Sequence, residues 1–382
     1  MKRFLVIISI FILFPHLTHA QEIIPDKTTT VKAQVSEILK ESTQKIPGTD
    51  VNGLNQTIKA EILEGDEQGK IVTIEDDYVK LSVGEKFFLT HTVGQFDGVD
   101  TYSVSDPYRL PAIYFFIGLF VLCVFIFGGK QGIRGLVALV GSFLFIGYFL
   151  LPGIIHGYSP ILVSIIVASF IIILGSYVTH GFSRLTTSAV IGMIITIIIT
   201  GLLAFFAIKF ARLTGFNTED AVYLNLNTRG RIDFPGLLLG AIIIGLLGVL
   251  YDAAIGQAVS VEELHHVGPH LPRKIIFKRA LRMGREHIGA LINTLAIAYV
   301  GVSLPLILLY YSSSTGSFLT TINQEMFATE IIRTMVGSIG LILAVPITTL
   351  IAAFMLVKKT PAANVEVLEK EKNMIKELHH SH

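Results

Sequence analysis

Long apolar stretches dominate the chain beyond residue 110 and predict membrane-spanning helices. Seven of them lie between residues 111 and 358, and each approaches the roughly 20 residues that a helix needs to cross about 30 Å of hydrocarbon. We place them at 111–128, 132–151, 160–179, 186–208, 235–255, 288–311 and 331–357. The pattern predicts an all-α membrane domain over 111–357, a bundle of about seven transmembrane helices.

The first twenty residues form a shorter apolar segment of a different kind. A basic pair, Lys2 and Arg3, precedes an apolar run over 4–14, and Ala20 supplies a small residue at the end. This arrangement predicts a signal peptide over the first twenty residues. An uncleaved anchor is the alternative, because His19 beside the cut is unfavourable for cleavage. Either segment exports the region that follows.

Mixed β-branched and polar residues over 21–110 predict a small β-rich, barrel-like extracytoplasmic domain. The predicted strands are 29–38, 56–63, 70–75, 86–92 and 101–105. Turn clusters such as Glu64-Gly65-Asp66 separate them. Five strands are typical of a small barrel, although a sandwich has a similar count. The domain lacks the basic stripe of a nucleic-acid-binding surface, so we expect a sensing or docking module.

Basic residues are distributed unevenly between the loops and predict the orientation in the plasma membrane. With the β-rich domain outside, the outer loops hold Lys209, Arg212, Arg229 and Arg231. The cytoplasmic loops hold more: Lys130, Arg134, Arg184, Arg273, Lys274, Lys278, Arg279, Arg282 and Arg285. Cytoplasmic loops of membrane proteins are enriched in Lys and Arg. We therefore expect a charged cytoplasmic tail over 358–382.

The amino-acid composition is typical of a membrane protein and limits the binding and disulfide chemistry that we expect. Hydrophobic residues make up 52% of the chain and charged residues 15%, and the net charge of +1 gives no indication of nucleic acid. Cys123 is the only cysteine and lies in the first predicted span, so the exported domain has no intramolecular disulfide. We predict no cofactor.

Small residues recur every four positions along the fifth predicted span. Gly236, Gly240, Gly248 and Gly256 draw one narrow stripe on a helix, which lets a neighbouring helix approach closely. The same stripe carries Asp252 toward a packed interface rather than toward lipid. Each feature has an alternative interpretation. Asp252 can lie at the cytoplasmic boundary without a packed partner, and the stripe can form the contact between two subunits of a dimer.

The sixth predicted span offers polar residues at a similar depth. Glu286 and Asn293 share one helical face. Together with Asp252 and Gln257 they predict an inward-facing polar site that forms a substrate or ion pathway. The alternative for Asn293 is a hydrogen bond between helices that only holds them together.

Basic residues before the sixth span fall on one helical face, Lys274, Lys278, Arg282 and Arg285. This pattern is typical of a helix at the membrane surface, where anionic lipid headgroups are the expected partner.

Metal-dependent and hydrolytic chemistry are both disfavoured. A cluster of acids and histidines over 262–270 lacks the spacing that places two zinc-binding histidines on one helix turn, so we predict no metal site. An intramembrane aspartyl protease needs two acids that share a proton, and Asp252 is the one Asp in a predicted span. We therefore predict that the chain is not an enzyme.

Several motifs resemble those of the YibE/F-like multi-span membrane proteins, in particular the longer YibE-type members with an exported N-terminal domain. The matching segments are Gly245-Leu-Leu-Gly-Val-Leu-Tyr-Asp252 with Gln257 and Glu262-Glu263, Gly284-Arg-Glu-His-Ile-Gly289, Ala290 to Thr294, Ala296, Ala298-Tyr299, Gly301 and Leu304-Pro305. Tyr251 departs from the pattern, because the resemblance implies a polar residue there. The resemblance implies an architecture over about 29–357 and no particular activity.

Three functions are compatible with this sequence. The first is a permease or exporter of an unidentified small solute. The second is a membrane receptor or accessory scaffold whose exported domain binds a partner. A homo- or hetero-oligomer with a related membrane protein is compatible with either of these functions. The third is a membrane enzyme that acts on lipid. We favour the first because the predicted polar site lies within the membrane domain.

Overall fold

The computed structural model describes residues 27–45, 52–77, 79–94, 99–312 and 317–358. The predicted signal peptide and all but the first residue of the predicted tail lie outside these ranges. The chain divides into two compact units, one ending at Phe120 and the other beginning at Val121. We describe each unit by itself.

The first unit is a five-stranded antiparallel sheet, as the sequence predicts. Its strands are β1 (Lys27–Lys45), β2 (Asn52–Ile62), β3 (Ile71–Asp76), β4 (Lys86–Val93) and β5 (Asp100–Pro107), in the order β3-β2-β1-β4-β5. The first strand is longer than predicted because it pairs with β4 near its start and with β2 further along. Irregular pairing between Val35 and Glu37 and between Ile38 and Lys40 allows such a strand to bend.

Bending turns this sheet into a half-barrel around an apolar core. Its edge strands β3 and β5 approach each other. Alternate residues of the strands point inward, as expected for a sheet with one solvated face. The largest fully buried side chains in the unit are Ile58, Ile62, Ile74, Leu81, Phe87 and Leu89.

The second unit is helical. Its helices are α1 (Leu110–Phe145, which begins in the first unit), α2 (Leu151–Ile155), α3 (Pro160–His180), α4 (Arg184–Phe210), α5 (Glu219–Asn227), α6 (Phe234–Val267), α7 (Arg273–Val302), α8 (Leu304–Ser312), α9 (Phe318–Ile322) and α10 (Glu325–Leu356). One π-helical turn, Ile146–Leu150, joins α1 to α2. Within the described residues, five helices are long and apolar enough to cross a membrane: Leu110–Ile155, α3, α4, α6 and α10. The pair α7 and α8, bent by 62°, makes six if it forms one span.

Two glycines bend α1 sharply near its middle. Gly129 has φ 50° and ψ −140°, a backbone conformation outside the helical region. A Cβ on Gly132 would lie 2.7 Å from the carbonyl oxygen of Val124. Eight residues of straight helix rise about 12 Å, so this approach requires the chain to turn back on itself.

Helix α3 packs parallel to α6 through glycine contacts. The side chain of Ser164 on α3 occupies the space that a Cβ on Gly240 would need. Further along, the Tyr251 hydroxyl donates to the carbonyl of Gly175 at 3.3 Å, again 76 residues apart. The same sequence separation at two contacts is expected when two helices run parallel to each other. Of the predicted stripe, Gly236 and Gly240 lie against neighbouring atoms, whereas a Cβ on Gly248 or Gly256 would meet open space.

Helix α4 packs antiparallel to α10 through two reciprocal pairs. Thr348 fills the space beside Gly192, and Thr200 fills the space beside Gly340. On α4, Gly192 precedes Thr200 by eight residues. On α10, the partner of Gly192 follows the partner of Thr200 by eight residues, so the two helices run in opposite directions. Such contacts between small residues suit helices in lipid, where no hydrophobic force drives helices together.

Candidate functional site

A cavity of about 170 Å³, mostly apolar but lined by a few polar side chains, lies between α6, α7 and α10. Its lining comes mostly from the region that the sequence analysis singled out. The lining residues are Asp252, Ala253, Gly256, Gln257, Ser260, His287, Leu291 and Val345. A carboxylate, an imidazole and a hydroxyl can all exchange hydrogen bonds with a small ligand in this space.

Asp252 reaches the cavity from α6, about 27 Å along the helix from Phe234 by helical rise. Its neighbour Tyr251 lies on a different face and donates its hydroxyl to α3. The two adjacent residues therefore have different roles: Asp252 lines the cavity, and Tyr251 joins α6 to α3. Where the family resemblance implies a polar side chain at position 251, this chain has a residue that fastens α6 to α3.

Gln257 is 3% exposed and connects two helices at the edge of the cavity. Its Oε1 accepts a hydrogen bond of 2.8 Å from the Thr349 hydroxyl on α10. Gly284 of α7 lies directly against the Gln257 side chain, and a Cβ there would come within 2.6 Å of Nε2. The absence of a side chain on Gly284 therefore allows α7 to approach Gln257 closely.

Helix α7 presents a different residue to the cavity from those predicted. His287 and Leu291 line it, whereas Glu286 and Asn293 are not among the lining residues. His287, Glu286 and Asn293 are all exposed, and so is Asp252 on α6. The part of Glu286 and Asn293 in a pathway stays a prediction. The buried positions Ile276, Ala280, Gly284 and Leu295 mark the packed face of α7, and His287 follows from that periodicity.

A second polar group lies where α7 ends and α8 begins. Glu330 and Arg333 on α10 form an ion pair of 2.9 Å, and each side chain is 21% exposed. The hydroxyl of Ser303, in the break between α7 and α8, donates to Glu330 Oε2 at 3.2 Å. The sequence analysis missed this group. Its signal was an acidic residue followed three positions later by a basic one at the start of an apolar stretch.

Two hydrogen-bond donors close to this ion pair lack partners in the described structure. They are the Tyr299 hydroxyl and Arg333 Nε, both of which are buried. Gly245 of α6 makes room for the tyrosine, because a Cβ there would lie 2.7 Å from the hydroxyl oxygen. A buried polar group without a partner costs about 1–3 kcal/mol, so these donors call for an explanation.

The predicted basic face of α7 is exposed. Lys274, Lys278, Arg282 and Arg285 lie on the side opposite the buried residues of the helix. Arg273, one position earlier, instead donates through Nε to the carbonyl of Val357 at 2.6 Å. That bond fastens the start of α7 to the end of α10.

The β unit contains the one metal-compatible group found among the described residues, and it was not predicted. Ligand atoms of Glu67, His91 and Asp100 lie within 4.8 Å of one another. His91 Nε2 is 3.3 Å from Asp100 Oδ1, and Nδ1 is 3.7 Å from Glu67 Oε2. Glu67 and His91 also line a cavity of about 270 Å³.

Lys70 and Tyr102 compete with any cation at Glu67. Lys70 Nζ lies 2.6 Å from Glu67 Oε1, and the Tyr102 hydroxyl donates to Oε2 at 2.8 Å. The hydrogen bond from Lys70 and then that from Tyr102 lower the pKa of the Glu67 carboxyl. The same contact with Glu67 raises the pKa of Lys70. The group therefore already has its charge balanced, and it links the loop after β2 to β5.

A family model described as YibE/F-like protein matches residues 116–358. The chain belongs to the YibE/F-like family. No curated protein and no solved structure matches it. The match covers the helical unit of this YibE/F-like chain, including the cavity at Asp252 and the ion pair on α10, and it begins after the last strand of the β unit. Family membership and the apolar helices together identify a multi-pass membrane protein.

Proposed function

We propose that this YibE/F-like protein is a permease or exporter of a small solute, and that the cavity between α6, α7 and α10 is its inner binding site. The observation that carries the proposal is the position of Asp252 and His287 on one cavity among helices of membrane-spanning length. Ionisable residues inside a membrane domain are costly and mark ion or substrate pathways. We assign transport to this chain, and we assign no catalytic activity to it.

We propose seven spans and an exported β unit, an arrangement that favours an inward-facing site. Leu110–Ile155 has 46 residues, about 69 Å of straight helix, which is more than twice the hydrocarbon thickness. The turn at Gly129 divides it into two spans of suitable length, and α7 with α8 forms one more. With the signal peptide directing the β unit outside, seven spans leave the C-terminus in the cytoplasm, in agreement with the basic loops.

The cavity chemistry favours a solute that carries a positive charge or a proton. A carboxylate can bind a cation or a proton, and an imidazole ring offers one further donor and one further acceptor. Gln257 Oε1 already accepts a hydrogen bond from Thr349, so we assign Gln257 a structural role in the wall of the site. The exposed basic face of α7 would meet anionic headgroups at the cytoplasmic surface of the bilayer.

Flux into liposomes tests the proposal. Purified protein is reconstituted, and uptake is measured for rubidium, manganese, alanine, acetate and phosphate, with a trapped pH-sensitive dye to report protons. We expect at least one of these to cross, and we expect Asp252→Asn to abolish that flux without loss of insertion. The matched control is Asp220→Asn, which makes the same change on α5, away from the cavity. Equal flux in the two variants would contradict the role of Asp252.

A receptor or accessory scaffold is the second candidate, and the cavity at Glu67 and His91 in the β unit favours it. In that case the exported unit binds a partner, and the helices anchor it in an oligomer with a related membrane protein. Deleting residues 29–108 would then abolish function in cells, whereas Asp252→Asn would have no effect. The reverse outcome supports the permease.

A further inference from the structure

We infer that the break between α7 and α8 forms a second binding site on the solute pathway, which takes an anionic group through Arg333 and Tyr299. The inference rests on the proposed transport function and deepens it, because it adds a recognised chemical group to the solute. Its observations are independent of the cavity at Asp252.

The hydrogen-bonding capacity left at the break consists of donors. Both carboxylate oxygens of Glu330 already accept bonds, Oε1 from Arg333 at 2.9 Å and Oε2 from Ser303 at 3.2 Å. By contrast, Arg333 Nε and the Tyr299 hydroxyl are buried and have no partner within the described structure. A guanidinium and a phenol that together need an acceptor are suited to a carboxylate or another anionic oxygen group.

The discontinuous helix agrees with this assignment. Transporters commonly form their binding sites at breaks in transmembrane helices, where half-helix N-termini point at anionic substrate groups. Here α7 ends at Val302 and α8 starts at Leu304 with a bend of 62°. The start of α8 thus lies beside Ser303, which contacts Glu330.

The second site lies on the same three helices as the inner cavity. Tyr299 follows His287 by twelve residues on α7, and Arg333 precedes Val345 by twelve residues on α10. Each interval is about 18 Å of helix, a little over half the hydrocarbon thickness. Gly245 of α6 contacts Tyr299, and Asp252 of the same helix lines the cavity. The two sites therefore lie at two different depths along α6, α7 and α10.

Charge-selective thiol labelling tests the site without knowledge of the solute. In a Cys123→Ser background, Gly337→Cys places a thiol one helical turn beyond Arg333. A Cβ at this position meets only ordinary contacts, 3.5 Å from Leu295 and 4.0 Å from Tyr299. Ser312→Cys, at the exposed end of α8, is the control position. The probes are an anionic methanethiosulfonate, the ethylsulfonate, and a cationic one, the ethyltrimethylammonium, applied to full-length protein in nanodiscs and followed by mass shift.

We expect the ratio of anionic to cationic labelling to be about tenfold higher at Gly337→Cys than at Ser312→Cys, because the unpartnered donors of Arg333 and Tyr299 favour an anionic reagent over a cationic one. Adding Arg333→Gln should remove this preference, whereas Arg279→Gln on the exposed face of α7 should keep it. If Arg333→Gln does not fold, the double change Glu330→Gln with Arg333→Gln replaces it. Equal ratios at the two positions, or no labelling at Gly337→Cys while Ser312→Cys reacts, would overturn the inference. Neither result depends on flux through Asp252, so the two proposals fail separately.

Discussion

The two units bury polar side chains in different ways. In the β unit, the side-chain amide of the fully buried Gln56 has hydrogen-bond partners on both its nitrogen and its oxygen. Its Nε2 donates to Glu41 and to the Leu81 carbonyl, and its Oε1 accepts from the Leu81 N–H at 2.8 Å. In the helical unit, the buried hydroxyls of Ser164, Thr200 and Thr348 have no hydrogen-bond partner in the described structure and lie against glycines of neighbouring helices.

This difference follows from the solvent that each unit is suited to. A domain in water gains stability by burying apolar area, so its few buried polar groups must be fully bonded to avoid a penalty. Helices in lipid gain nothing by exchanging lipid for leucine, so they associate through close backbone approach and small polar side chains. Weak Cα–H···O contacts are common where helix backbones come this close.

The largest expected effect is in the apolar core of the β unit. Phe87 is fully buried, and Phe87→Ala should destabilise this unit by about 4 kcal/mol through lost burial and a cavity. Hydrogen exchange of peptides from β1 and β4 in the full-length protein measures the change. Phe127→Ala is the control, since Phe127 is 86% exposed on α1 and its truncation leaves no cavity. A similar loss of protection in both variants would contradict the assignment of the core.

A smaller effect is expected from one added methyl group in the helical unit. Gly192→Ala places a Cβ against Thr348, including its Cα at 3.0 Å, and should cost about 2 kcal/mol by overpacking. The thermal midpoint of the protein in detergent reports it. Gly289→Ala is the matched control, because a Cβ at Gly289 meets nothing within 4 Å. This control should be neutral or stabilising, since alanine favours helix more than glycine.

The two buried glutamines compare the units directly. Gln56→Leu strands the buried Leu81 N–H and should cost about 2 kcal/mol. Gln257→Leu should cost under about 1 kcal/mol, because the one Thr349 hydroxyl proton has two acceptors, Gln257 Oε1 at 2.8 Å and the Val345 carbonyl at 2.6 Å, and can go to that carbonyl alone. Chemical denaturation followed by hydrogen exchange in each unit measures both. Equal losses would show that polar burial is treated alike in the two units.

The smallest expected effect is acid sensitivity near Glu67. Its lowered pKa means that the contact with Lys70 stabilises the folded unit above the ordinary value of 4.5 and is lost as pH falls through the lower, folded value. Protection of the β2–β3 segment should therefore fall as the pH drops below 4.5. Lys70→Met should flatten this dependence, and Lys59→Met, which removes a pair with Glu37 on the exposed sheet surface, should not. An unchanged slope in Lys70→Met would remove Lys70 as the cause.

The sequence predicted the elements better than the site. All five strands and the apolar helices of spanning length were predicted because alternation and apolar length are local signals. The predicted count of seven spans is not confirmed, because five described helices, or six with α7 and α8 as one span, are long and apolar enough. Asp252 and Gln257 do meet at one cavity, since both lie on α6. His287, by contrast, was missed because several faces of a polar helix are plausible until its neighbours are known. The Glu330–Arg333 pair was missed because its importance depends on Ser303, 27 residues earlier.

By itself the sequence determined that this chain has a β-rich unit followed by apolar helices, and that it resembles the YibE/F-like family. These properties depend on residue type and spacing along the chain. Only the tertiary structure decided that α1 turns at Gly129, that α7 breaks at Ser303, and that the polar residues of α6, α7 and α10 form two groups. Those outcomes depend on which helices pack together, and packing is set by contacts between residues far apart in the sequence.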